Sequence, residues 1–508
     1  MTEKHTYHQI IRSSSIIGGA QVANYIIGLL RTKLVAMWLG PSGVGLIGLY
    51  ASAIGLAGVV SSLGVNSSGV REVVRASSKE DIAEVARTVI ILRRVCWATG
   101  LLGWVVVAVL SEPISSIMTG SPQYARTIAA LGSLLLLGAI SGGQLAVLQG
   151  LRRVGDLARA NVLGALLGSI VSVSIYYALG EAGIVPAMIA SAVAVLGCSY
   201  WFAQRVSLKA QAVSWAQTRR GFNRLIGLGL AFMWAGVAGA CLEMFTRSMI
   251  TRKFGIEAVG IYQAAWALSG VFASFVLTAM GTDFYPRLTA IIHDHAKAAR
   301  AVNEQTEIGI LLALPGLLAV LAFAPLAIKI LYTSQFLPAA GLLPWMALGV
   351  FGRVVSWPLG YIQLAVGDPR WYAATETIFN VLWALLIFVM VERSGVIGAA
   401  YASAAIYGLH VPASLWVSRV LIGFSWSREA RKLIMISTCF IIVAFVLRFL
   451  VSDITELFAG GLLTLAGALF CLRGLAKRLG EGHSVIRWCL LAPGARFLLT
   501  SGTIPKAL

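Results

Sequence analysis

Between residues 29 and 50 the chain reads LLRTKLVAMWLGPSGVGLIGLY. Apolar residues run on both sides of a single short break, where Gly40, Pro41 and Gly43 stop one helix and let another begin. Gly43, Gly45 and Gly48 satisfy GxGxxG, yet no soluble strand precedes them and no βαβ unit presents a pyrophosphate to a helix N-terminus. The segment therefore reads as a tight re-entry turn between two membrane helices, with its glycines there for close packing.

The rest of the chain agrees. It has 508 residues, 58% of them hydrophobic and only 12% charged, with a mean hydropathy of +0.83. A soluble protein of this length carries roughly twice that charge, so a soluble enzyme, a disordered chain and a secreted disulfide scaffold are all excluded. At about 20 apolar residues per span plus connections, the length accommodates roughly fourteen spans. Apolar runs predict helices near 13–38, 44–66, 88–110, 124–150, 158–179, 183–204, 222–249, 256–281, 305–326, 340–366, 371–392, 395–418, 432–451 and 455–474. The chain is predicted to be an all-α polytopic membrane protein.

The net charge of +19 comes from 40 Lys and Arg against 21 Asp and Glu. With the N-terminus cytoplasmic, about 30 of these cations fall in cytoplasmic loops and about six outside, a bias that places both termini inside. The high charge is thus a record of insertion and calls for no nucleic acid. No cleavable leader is expected, because the first apolar run is long, carries Arg31 and Lys33, and lacks a small-residue cleavage pattern. Six cysteines are scattered with no CxxC, and His293 and His295 flank Asp294 at a spacing that points the two imidazoles apart on a helix. No metal, cofactor or disulfide follows. Trp38, Tyr50, Trp104, Trp357 and Trp371 near span ends read as an interfacial belt.

The chain repeats itself. LGPSGVGLIGLY at 39–50 recurs as FGIEAVGIYQAA at 254–265, a spacing of 215. RVGDLARANV at 153–162 is echoed by AVGDPRWYAA at 365–374, and LGEAGIVPA by ERSGVIGAA, both at about 212. A duplicated six-helix unit follows, and because six is even both copies enter from the same side and relate by an axis along the membrane normal. The predicted organisation is a cytoplasmic N-terminus (1–12), an N-lobe (13–204), a linker (205–221), a C-lobe (222–418), two extra helices (432–474) and a basic tail (475–508) with a surface-lying stretch around Val485–Leu491.

Four motifs in order carry a resemblance: LLRTKLVAMWLGPSGVGLIGLY, QGLRRVGDLARAN, RKFGIEAVGIYQAAWALSGVF followed by DFYPRL, and LGYIQLAVGDPRWYAATE. Over residues 10–420 the chain resembles the O-antigen and enterobacterial common antigen translocases, in the superfamily that also holds lipid II flippases and multidrug extruders. The resemblance implies a flippase moving an undecaprenyl-diphosphate-linked oligosaccharide across the bacterial inner membrane by alternating access, with a polysaccharide polymerase and a chain-length regulator as possible partners alongside membrane lipids. By motif, Lys33 falls on the lysine that translocases carry before their turn, Arg31 on an arginine of lipid II flippases, and Arg247 on a basic residue ahead of the second turn.

The residues support such a substrate separately. A charge at the bilayer centre costs roughly 2.5–3.5 kcal/mol on insertion scales, so intramembrane charges face a partner or a wet cavity. Here they are predominantly basic: Arg31, Lys33, Arg247 and Arg353. A cationic lining suits a diphosphate, which arginine grips with two hydrogen bonds and lysine with a point charge. Against this, Glu243 lies one turn before Arg247 and the pair could simply neutralise itself. Asp283, beside Tyr285, Pro286 and Arg287, reads as a gate or a loop anchor. Glu243 is the acidic group placed deep in a span. A multidrug extruder, which needs acidic cavity groups, and a membrane-embedded polymerase or glycosyltransferase, which needs a general base and larger loops, remain the other readings.

Overall fold

The computed structural model describes residues 3–77, 81–206, 211–367, 369–450 and 453–479. They are helical almost throughout, with no strand among them. The helices are α1 (Glu3–Ser62), α2 (Val65–Ser77), α3 (Ile82–Val109), α4 (Ser111–Thr119), α5 (Ala125–Leu131), α6 (Ser133–Gly150), α7 (Val154–Leu179) and α8 (Ile184–Gln204), then α9 (Trp215–Ile291), α10 (His295–Leu331), α11 (Ala339–Val366), α12 (Pro369–Ser394), α13 (Ile397–Ile422), α14 (Arg428–Leu450) and α15 (Asp453–Leu479). The protein is a multi-pass helical membrane protein. Ten stretches among the described residues are long and apolar enough to cross a membrane, rather than fourteen separate ones. Two of the four come from merging, since Gly18–Ser62 and Val154–Gln204 each contain two expected spans, and the other two, expected at 222–249 and 256–281, fall in α9, which is not among the ten. The end of α15 at Leu479 also runs past the expected start of the tail at 475, while Val485–Leu491 lies outside the described residues.

At about 1.5 Å per residue, the 60 residues of α1 would stretch roughly 90 Å if straight, three times a hydrocarbon core. They are broken at Gly40 (φ 62°, ψ −167°), and the 77 residues of α9 are broken at Gly255 (φ 85°, ψ 173°). Side chains other than hydrogen do not tolerate that region, so each break requires glycine. The two breaks are 215 residues apart, and so are the positive-φ pairs Arg152/Gly367 (56° and 84°) and Gly180/Gly395 (57° and 71°). The backbone therefore repeats at one offset at three stations. The sequence echoes at about 212 matched glycine to glycine, whereas the conserved quantity is the turn conformation, which Arg152 adopts despite its Cβ.

A Cβ added at Gly45 would collide with the carbonyl oxygen of Ile256, and one added at Gly260 with that of Pro41. Gly45 and Gly260 are 215 apart, as are Pro41 and Ile256. The contact is therefore its own image under a local two-fold, like an isologous interface. Gly48 and its equivalent Gln263 also meet, a Cβ at Gly48 lying 3.1 Å from Gln263 Oε1. Packing accounts for the GxGxxG string.

By contact density the chain divides into two units: Met1–Gln263 with Ile330–Gln335, and Ala264–Lys329 with Phe336–Leu508. In unit 1, Val73, Val89, Leu92, Val147 and Leu225 form a buried core. Gly164 and Gly168 of α7 let α8 approach through Val195 and Ser191, and Gly143 of α6 packs against Cys96, while Gly138 faces open space. Arg94 binds α3 to the start of α9, donating to Val213 O (3.0 Å) and Thr218 Oγ1 (2.9 Å).

In unit 2, Leu311, Leu314 and Leu318 of α10 pack with Val354 of α11, Leu433 and Ile441 of α14, and Cys471 and Leu475 of α15. The two helices outside the repeat are thus part of this core. Arg478 near the end of α15 donates Nε to Glu307 Oε2 of α10 at 2.7 Å, and its Nη2 lies 2.6 Å from the same oxygen. Asn303, one turn before Glu307, holds the link before α14 by accepting from Ser427 N (2.9 Å) and donating to Ser425 O (3.2 Å).

Asp294 is a helix cap rather than a metal ligand. Its Oδ1 accepts from Lys297 N at 3.0 Å and its Oδ2 sits 2.9 Å from Lys297 Nζ, which draws its carboxyl below the ordinary carboxylate range. Among the described residues no group of His, Cys, Asp and Glu is disposed to hold a metal, and the five described cysteines are free thiols.

Candidate functional site

Unit 1 contains three of the four intramembrane cations. Arg31 is half-buried on α1 and makes no hydrogen bond or ion pair among the described residues. Lys33, two residues on and therefore about 200° around the helix, donates Nζ to the backbone carbonyl of Tyr332, just past the end of α10. Arg247 is 3% exposed. Its Nε and Nη2 donate to Gln263 Oε1 at 3.0 and 2.7 Å, and Nη2 lies 2.6 Å from Glu243 Oε1. Only Nη1 has no acceptor among the described residues. Arg247 is therefore committed mainly to structure, as the spacing of four from Glu243 allowed.

Gln263 is the partner the sequence reading missed, although its signal was there: it is the polar residue inside the apolar repeat FGIEAVGIYQAA, at the place where the first copy has Gly48. Glu243 is half exposed, whereas Arg247 is buried, so the pair is asymmetric. Glu243→Ala should strand a buried guanidinium and cost about 2–3 kcal/mol of stability after discounting for solvent on the glutamate side. The double variant Glu243→Ala/Arg247→Met should recover much of that loss in thermal unfolding of detergent-solubilised protein. A double variant no more stable than Glu243→Ala would assign Arg247 a different partner.

Unit 2 holds Arg353, on α11. Helices α11 and α13 approach closely because Gly349 faces Ser403 and Gly352 faces Tyr407, where a Cβ would lie 2.7 and 3.0 Å from its neighbour. That approach gathers a cluster of polar and aromatic groups from three helices. The guanidinium carbon of Arg353 stands 4.9 Å from the ring centre of Trp357, a cation–π contact, and Trp357 Nε1 donates to Tyr361 Oη at 3.2 Å. From α13, His410 Nδ1 lies 2.8 Å from Ser356 Oγ, with the ring of Phe379 of α12 edge-on to it at 4.1 Å. Tyr407 stacks edge-on with Trp383 at 5.4 Å. From α12, Glu376 accepts from Asn380 Nδ2 at 3.4 Å.

Arg353 is within electrostatic reach of Glu376, Tyr407 and His410. No carboxylate comes within ion-pair distance of it among the described residues, and its Nε is buried without an acceptor. A buried donor left unsatisfied costs about 1–3 kcal/mol. An anion reaching this guanidinium would recover that, with aromatic faces around it that suit the apolar faces of sugar rings.

Several expectations need correction. Glu243 is not alone as a deep acidic group, since Glu376 lies within α12, inside the span expected at 371–392. The signal was present as ATETIFN, a carboxylate with Asn one turn later. Trp357 belongs to the Arg353 cluster rather than to a belt. Tyr50 is 4% exposed and packs near Tyr124, and Trp104 donates to Ala129 O at 3.0 Å. The side chain of Asp283 lies outside the described residues, although its neighbours Phe284 and Tyr285 both contact the Tyr361 ring at 5.8 Å. No contact among the described residues joins Arg31, Lys33 and Arg247 into one group.

A duplicated, multi-pass helical bundle with cations held inside its spans defines a membrane transporter rather than a catalyst. The chain belongs to the polysaccharide biosynthesis protein family, whose profile matches residues 34–341. It is 24% identical to the lipid III flippase of Escherichia coli (strain K12) over 389 residues, 75% of this chain and 91% of that protein. It is 22% identical over 413 residues to the probable low-salt glycan biosynthesis flippase Agl15 of Haloferax volcanii, covering 79% and 82%. Among solved structures, the lipid II flippase MurJ in an inward closed conformation matches with a TM-score of 0.68 at 14% identity, over 91% of this chain and 99% of that one. An inward-facing multidrug resistance MATE transporter of the MOP superfamily matches at 0.63 and 16%, over 80% and 96%. These last likenesses concern the fold.

Proposed function

We propose that the protein is a flippase carrying an undecaprenyl-diphosphate-linked oligosaccharide repeat unit across the bacterial inner membrane by alternating access, for assembly of a surface polysaccharide such as O-antigen, exopolysaccharide or capsule. The observation that carries this reading is Arg353: a guanidinium inside the membrane spans, ringed by aromatics, with an N–H left for an anion. Arg31 supplies a second cation, and Lys33 and Arg247 contribute positive potential while holding structure. The names of the sequence relatives support a lipid-linked oligosaccharide as cargo. Both termini are cytoplasmic on the loop-charge bias, residues 13–204 and 222–418 form the two lobes, and a polymerase and chain-length regulator receive the product.

Glu376 gives the second reading its one supporting observation, since a multidrug extruder needs an acidic group inside the membrane. Deleting the protein from its host separates the two. Loss of surface polymer with accumulation of lipid-linked repeat unit on the cytoplasmic face is expected. Unaltered polymer together with new sensitivity to organic cations would replace the flippase by the extruder.

A further inference from the structure

Glu376 has no place in the binding scheme above, yet it shares a membrane-embedded cluster with the one arginine that scheme depends on. The arrangement is specific. Glu376 accepts from Asn380, one turn along α12, and Arg353 stacks on the face of Trp357, so the two opposite charges lie within electrostatic reach and no ion pair joins them among the described residues. The remaining polar neighbours are Tyr372 on α12, Tyr361 on α11, and Tyr407 and His410 on α13, His410 being tied to Ser356. Glu376 is the only carboxylate among the described residues in this group. Charge is thus balanced through space, while the buried Nε of the guanidinium has no acceptor among the described residues.

We propose that Glu376 is the resident counter-ion of Arg353: it balances the guanidinium when the carrier is empty, and it competes with a bound diphosphate so that the diphosphate can leave. This rests on the reading of Arg353 as a diphosphate partner. An arginine with no counter-charge in a low-dielectric span would hold a diphosphate strongly and return empty only with difficulty. A carboxylate kept just out of contact weakens the hold without taking the hydrogen bonds the ligand needs. Affinity differences of this kind appear chiefly in the off-rate, so removing the carboxylate should tighten binding and slow transport together. A merely structural glutamate would not produce opposite changes in the two.

The test uses full-length protein in lipid nanodiscs with undecaprenyl diphosphate as the probe. Glu376→Gln should bind it at least about fivefold more tightly than the parent, within the usual range of coupling between sites, and should export more slowly in cells. Glu376→Asp, which keeps the charge, should bind like the parent. Arg353→Ala should bind weakly, and adding Glu376→Gln to it should change nothing further. Weak binding by Arg353→Ala without any tightening by Glu376→Gln would overturn the counter-ion role alone. Tightening by Glu376→Asp equal to that of Glu376→Gln would likewise overturn it, by assigning the effect to shape. Parental affinity in Arg353→Ala would overturn the reading of Arg353 itself, and the counter-ion with it.

Discussion

Polymer export is expected to stop in Arg353→Ala, with the protein still inserted in the membrane. A bidentate arginine gives a diphosphate two charge-assisted hydrogen bonds, each worth about 1.5–3 kcal/mol. Losing both weakens binding by at least about a hundredfold. Insertion should survive because Arg353 donates no side-chain hydrogen bond among the described residues and stacks on the Trp357 face; any fall in level from leaving Glu376 without its counter-charge should be restored by adding Glu376→Gln. Lysine at this position restores a charge but not the planar fork, so Arg353→Lys should recover part of the activity. Lys33→Ala should also lose export, but with a fall in stability, because it frees the Tyr332 carbonyl. Surface polymer measured by gel, against protein level in the membrane, checks both. Full export by Arg353→Ala would remove the diphosphate from this site.

The second large effect concerns the glycine crossing. Gly260→Ala places a methyl against the Pro41 carbonyl, and Gly45→Ala places one against Ile256. Overpacking of this sort costs about 1–3 kcal/mol where neighbours can shift, and more against backbone, which cannot rotate away. The local two-fold makes the two substitutions equivalent, so they should give equal effects. Helices forced apart here should populate the state in which the crossing is open. Ser42 and Glu257 are also 215 residues apart and adjoin the contact. In a background lacking the six native cysteines, Ser42→Cys with Glu257→Cys should crosslink readily, and the link should stop export until it is reduced. Adding Gly260→Ala should cut the crosslinking yield by at least about tenfold, since 1.4 kcal/mol is a factor of ten. Crosslinked protein that still exports at the parental rate would show that this crossing does not part during transport.

Helix content, membrane class and the duplication were all legible in the sequence because they are written in hydropathy and in glycine-bearing turns, which depend on local chemistry. The reciprocal contact of Gly45 with Ile256 and Gly260 with Pro41 was not, because sequence gives the period of a repeat and the direction of its axis but not which residues meet across it. Glu243, one turn before Arg247, already set that arginine apart from Arg353 in the sequence. What the structure adds is Gln263 beside the one and an Nε without an acceptor on the other, which is a matter of tertiary placement. Glu376 was passed over because a carboxylate near the start of an expected span resembles a loop residue until the helix carrying it is seen to begin at Pro369. The 3-residue discrepancy in repeat offset had a similar origin: glycines were matched where conformations should have been.

The link between Arg478 and Glu307 also bears on how the protein is made. The two residues are 171 apart in the chain, and ribosomes add roughly 5–20 residues per second. Glu307 therefore leaves the ribosome about 10–30 s before the residue that neutralises it. During that interval α11 to α14 leave the ribosome, while α10 carries a carboxylate that α15 has yet to neutralise. The core of the second unit is consequently completed only when α15 arrives, and chains truncated before Arg478 should accumulate in the membrane at a lower level than the full chain.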